Sequence, residues 1–314
     1  MRKQRRAKFF ICLAIVLAVI SGSVIGGYFI IDRCLVPQYF AKYGINNLKE
    51  LVDIASTIYS TPNESDFITN PFTKADKTSA ENLMIEAGFP RLVNGGLDYE
   101  KIGKGKYTLT PSEDFNQNYI FLTDRQSAGI LNETVETGVL VSNSSALSYL
   151  GSDLTYLDTL KMSIKQFIIT PIFETEEVTS TNSARLVVTI KIDTSTARTE
   201  ISQNLQTPKF LIDWIIPSSI YLTGSFEIMD AGTKDQSIEH ALLAINSKTP
   251  KQSEVLLKLL MEFIYPNQTD LTIESFTASL GDLVLTGLAS IGKFEFTTEG
   301  KSNGVKIFLD NAEV

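Results

Sequence analysis

A run of 23 uncharged residues, Phe9 to Ile31, constrains this chain more than any other feature. As a helix rising 1.5 Å per residue it would reach roughly 34 Å, enough to cross about 30 Å of hydrocarbon with some tilt. Five basic residues precede it: Arg2, Lys3, Arg5, Arg6 and Lys8. The positive-inside rule makes residues 1–8 a cytoplasmic tail, 9–31 a transmembrane helix, and the rest extracytoplasmic. The competing reading is a cleaved signal peptide with Ser21-Gly22-Ser23 as the cleavage site. The apolar run continues for eight residues past that point, and cleavable segments are shorter. An anchor is therefore the expectation. Gly22 and Gly26 stand four apart and would let a second helix approach, giving a homodimer or a membrane-protein partner. Glycine is also simply common in such helices, and that plainer explanation competes.

Cysteine usage narrows the compartment. Cys12 lies inside the apolar run and Cys34 just beyond it, so no disulfide framework is available to the outer part. A eukaryotic secreted domain of this size would usually carry several bridges, which points to a bacterial cell envelope. The formal charge is −8; residues 1–32 carry a net +4, leaving −12 for the remainder. So acidic a body repels phosphate backbones, and nucleic acid is a poor partner.

Past the anchor, residues 32–119 read as a helical and loop-rich membrane-proximal region. Ile45, Leu48, Leu51, Val52, Ala55 and Ile58 recur at helical spacing. Residues 61–79 are polar and read as loop, residues 80–87 as a short helix, and residues 94–106 as turns rich in glycine. At Thr123-Asp124-Arg125-Gln126 a capping box opens a helix, and Thr249-Pro250-Lys251-Gln252 repeats the device. The helix after Thr249 is apolar around more than half its circumference and should be buried.

Between these helices the period is two. Leu160, Met162 and Ile164 alternate, and Phe167 and Ile169 follow after a phase change that a bulge would explain. Leu186 to Ile192 alternate strictly, as do Ile220 to Ile228. Residues 271–290 fit helix or strand, with helix favoured. A hairpin closes the chain: 293–298, a turn over 299–304, then 305–309. The fold class is α+β with a mainly antiparallel sheet.

The order of segments carries a resemblance. Ile120 to Gln126 enters a helix with Leu131-Asn132. Ile216-Pro217-Ser218-Ser219-Ile220-Tyr221-Leu222-Thr223 follows, then Ala244-Ile245-Asn246 and Ile291-Gly292-Lys293-Phe294. This resembles bacterial membrane-anchored envelope proteins of the YpmS and YceB kind, similar in turn to the tubular lipid-binding (TULIP-like) fold. The resemblance covers 120–314 and implies a long curved sheet wrapped around apolar helices, with a groove for acyl chains. It carries no catalytic residues.

Chemistry-bearing motifs are sparse. The lone His240 cannot make a histidine-based metal site or a triad by itself, and a structural or surface role is expected. Gly103-Lys104-Gly105-Lys106 lacks phosphate-loop spacing. Glu174, Glu176 and Glu177 read as solvated loop charge. Neither a cofactor nor a metal is expected, and no enzyme activity. The expected ligand is a membrane lipid or another apolar molecule. Its groove would be lined by Trp214, Ile216, Ile220, Leu222, Phe226, Leu256, Leu260 and Phe263. Apolar residues on this scale also build ordinary cores. The alternative function is an interaction or scaffold subunit of an envelope complex.

Overall fold

The computed structural model describes residues 31–41, 44–59, 64–66, 68–137, 161–204, 209, 218–246, 254 and 273–309. The expected anchor, except Ile31, lies outside them, as do Gly22, Gly26, Trp214, Ile216 and the helix after Thr249. Among the described residues, no helix is long and apolar enough to cross a membrane. The chain divides into two compact units, Met1–Thr61 with Lys248–Leu271, and Pro62–Ser247 with Thr272–Val314.

The described part of the first unit is helical. A π-helical turn, Ile31–Leu35, leads into α1, Val36–Phe40, with Pro37 in the first turn where its missing N–H costs nothing. The expected helix at 45–60 is α2, Leu48–Tyr59. Its free N–H groups find side-chain acceptors: Leu48 N donates to Asp32 Oδ1 at 2.7 Å and Glu50 N to Asn47 Oδ1 at 2.9 Å. Val36, Phe40, Ile45, Leu48 and Leu51 are buried.

The second unit is α+β with two antiparallel sheets. It opens with α3, Lys74–Glu86. The sequence placed this segment's helix only from residue 80. Thr73 starts it earlier through a capping box with Asp76, whose backbone N–H donates to Thr73 Oγ1. Only Ala80 and Met84 of this helix are buried, so the apolar stripe that announces a helix is almost absent. The glycine-rich stretch also hides a short helix, α4, Tyr99–Gly103, capped by Asp98.

Strand β1, Tyr119–Thr123, runs into α5, Asp124–Glu136. The expected capping box is there: Gln126 N donates to Thr123 Oγ1, and Thr123 N donates to Gln126 Oε1. Then come β2, Lys161–Pro171; β3, Ser180–Thr181; β4, Ala184–Asp193; α6, Ser195–Asn204; β5, Ser219–Met229; and β6, Ser237–Ile245. The phase change in β2 is a register shift between Ile164 and Gln166. The described part of the segment that fitted helix or strand is helix α7, Ile273–Ile291. The hairpin β7, Phe294–Glu299, and β8, Ser302–Phe308, turns tightly at Gly300-Lys301, more tightly than the sequence implied.

The eight strands among the described residues form two four-stranded sheets rather than one long sheet. The first has the order β2-β4-β5-β6 and the second β1-β8-β7-β3. The division follows from β8, whose partners are β1 on one side and β7 on the other. Helix α5 packs on β2, and α7 packs on β5 and β6.

Candidate binding surfaces

Three of the expected groove residues lie in β5, on the face that meets α7. Leu222 and Phe226 are buried, with 6% and 1% of their surface exposed, and Ile220 is half-buried. Two glycines let helix and strand close on each other. A Cβ on Gly224 would lie 3.5 Å from both Leu280 and Thr277, and one on Gly281 would press on Ile238 at 2.8 Å and the Phe226 ring at 3.1 Å. This described stretch of the sheet–helix interface is thus filled by protein. Trp214, Ile216, Leu256, Leu260 and Phe263 lie outside the described residues.

The opposite face of the first sheet is organised in rows across the strands. One row pairs Ile168 with Val187, Val187 with Ser225, and Ser225 with Leu242. Leu242 is 56% exposed. A charged row borders it, where the Arg185 guanidinium bonds to Glu227 Oε1. His240, on β6 with a φ of +49°, keeps Nε2 at 3.8 Å from Glu227 Oε2 and is itself exposed.

On the other border the row is polar and buried. Gln166 accepts hydrogen bonds on Oε1 from the backbone of Thr69 (2.6 Å) and Asn70 (2.9 Å). Its amide donates to Thr189 Oγ1, which bonds in turn to Thr223 Oγ1. The 68–71 segment thereby gains partners for N–H groups it would otherwise bury unpaired. Beyond it, the Tyr221 hydroxyl donates to Glu64, and Lys191 Nζ lies 3.4 Å from the same carboxylate. The hydroxyl holds the Glu64 carboxyl below the usual range. Burial, with help from Glu64, pushes Tyr221 up, so it keeps its proton and acts as a donor.

A second polar cluster joins the N-termini of α3 and α5. Arg125 bonds to Asp76 at 2.7 Å, and Asn70 donates to Asp124 Oδ2 at 2.7 Å. Burial raises the Asp124 carboxyl in spite of the neighbouring Arg125. At Asp76 burial also pushes upward, but the bonds from Thr73 and Arg125 outweigh it and the net shift is down.

The outward face of the second sheet carries side chains that sequence reasoning did not single out. Tyr119 and Phe121 of β1 stand opposite Phe308 and Lys306 of β8. Lys306 Nζ lies 4.0 Å from the Tyr119 ring centroid and 5.4 Å from that of Phe308, and Lys293 Nζ lies 5.7 Å from Phe308. The available signal was aromatic residues two apart at Tyr119 and Phe121 on β1, and Lys306 two before Phe308 on β8.

The acidic loop is where the sequence put it: Glu174, Glu176 and Glu177 are exposed between β2 and β3. Glu174 and Glu176, with Phe173, Val178 and Thr298, border an open depression of about 440 Å³. Gly103 to Lys106 closes α4, with Gly105 at a φ of +66°. Among the described residues, no three His, Cys, Asp or Glu side chains are placed to share a metal ion. In comparisons with known proteins, no family model, no curated protein and no solved structure matches this chain.

Proposed function

We propose that this chain is a non-catalytic interaction module of the bacterial envelope, tethered to the cell membrane by residues 9–31 with its bulk extracytoplasmic. Its partner, a protein of the same membrane complex, docks on the solvent face of the first sheet. The observation that supports this is the row Ile168–Val187–Ser225–Leu242, which crosses the strands and ends in a leucine with more than half its surface in water. A row apolar at three of its four positions and rimmed by Arg185, Glu227 and Glu239 has the anatomy of a small interface, with a mainly apolar centre and a charged edge.

Lipid binding is the second reading. The apolar inner face of β5 and the expected helix after Thr249 favour it, because an acyl chain gains about 0.8 kcal/mol per buried methylene. The filled contact between Phe226 and Gly281 is the reason it ranks second.

One experiment separates the two. The full chain is purified in neutral detergent from cells that carry a photo-crosslinker at position 242, and native mass spectrometry is run on the unmodified chain. A discrete protein adduct at 242 that Val187→Asp, in the same row, abolishes is the expected result. Near-stoichiometric lipid on the native chain without any adduct would reverse the ranking.

A further inference from the structure

We propose that the outward face of the second sheet binds a hydrated anionic polymer, a polyol or glycan chain bearing phosphate or carboxylate groups. Lys293 and Lys306 provide the charge. Both ammonium groups lie against the one ring of Phe308, at 5.7 and 5.4 Å from its centroid, and Lys306 also caps Tyr119 at 4.0 Å. Cation–π attraction holds each ammonium in place and leaves its outward N–H donors free. Among the described residues, no carboxylate lies within 4.0 Å of either ammonium. Glu295, directly opposite Lys306 in the register, instead accepts a hydrogen bond from Ser180 Oγ at 2.6 Å. In a chain of net charge −8, two lysines gathered at one ring, with no described carboxylate paired to either, form a local positive field.

The same geometry chooses among anions. A single-stranded nucleic acid would stack its bases on open aromatic faces, but Lys306 already covers Tyr119, and the Phe121 ring lies over Gly304. A bilayer-inserting surface would present exposed apolar tips. Among the described residues, the exposed large apolar side chains are Leu92, Val93, Phe173, Val178 and Leu242, none of them on the strands of this sheet. The surface offers fixed charge without stacking or insertion, which suits a flexible, hydrated polyanion.

The test uses the full chain in a neutral detergent and a synthetic poly(glycerol phosphate) as probe, with affinity measured across a salt series. Binding should weaken roughly tenfold at low salt in Lys293→Gln/Lys306→Gln, and the salt slope should fall by about one per lysine removed. Lys306→Arg, which keeps charge and ring contact, should bind like the parent. Lys293 is exposed, so Lys293→Gln alone reports on charge without disturbing the sheet. No binding by the parent chain would overturn the proposal. So would unchanged binding in a double variant with an unaltered melting temperature, or tighter binding of a thymidine oligonucleotide of equal charge.

Discussion

The first sheet takes all four strands from one stretch, residues 161–245, each paired with a neighbour reached by a short path along the chain. The second joins β1, at 119–123, to a hairpin at 294–308 and adds two residues from the middle of the chain. Both are antiparallel and four strands wide, yet their faces are finished differently. The first buries one face under α5 and α7 and part of the other under the 68–71 segment, with Gln166 as the fastener. The second keeps a mixed outward face in which lysines lie over aromatic rings. The difference leaves the first sheet an exposed apolar residue at Leu242, and the second an outward face of lysines over rings.

Removing the largest side chain between β5 and α7 should separate the sheets most clearly. Phe226→Ala should cost about 3–5 kcal/mol, measured by denaturant unfolding of the full chain. A loss below about 1 kcal/mol would mean that this interface collapses easily and that the filled contact does not hold the helix.

A smaller effect is expected at the closure of the second sheet. A methyl group on Gly304 would collide with the Leu122 carbonyl and the Phe121 ring. Gly304→Ala should cost about 1–3 kcal/mol. Hydrogen exchange should rise along β1 and β8 while β4 and β5 stay protected. Equal loss in both sheets would show that they unfold as one unit.

The smallest effect tests the polar cluster at the start of α5. The Asp124 carboxyl is raised in the folded chain by burial. Its charge therefore disfavours folding above that raised pKa, and the penalty disappears as pH falls below the ordinary aspartate value. Asp124→Asn keeps an acceptor for Asn70 and should raise the melting temperature at pH 7, with the gain shrinking on acidification. A variant less stable at pH 7 would show that Arg125 and the helix N-terminus outweigh burial.

How much of this was legible follows the range of each interaction. The Thr123 box was readable because its partners lie three residues apart. The bulge in β2 was readable because the apolar alternation slips phase between Ile164 and Phe167, and one extra residue keeps both on the buried face. The first turns of α3 were not, since a surface helix with two buried residues shows little periodicity. Of the expected groove residues, Leu222 and Phe226 lie buried on the face of β5 that meets α7, and alternation alone cannot say whether a helix or a ligand lies opposite.

The sequence by itself determined the apolar run at 9–31, the alternating strands, the capping boxes and the absence of recognised catalytic motifs, because each is a local pattern of residue chemistry. Only the tertiary structure decided that the strands divide between two sheets, that Gly281 brings α7 down onto Phe226, and that Lys306 meets Tyr119. Those outcomes rest on pairings between residues from tens to nearly two hundred positions apart. Such pairings are fixed by which surfaces fit once the chain is compact, and no short window of sequence contains both partners.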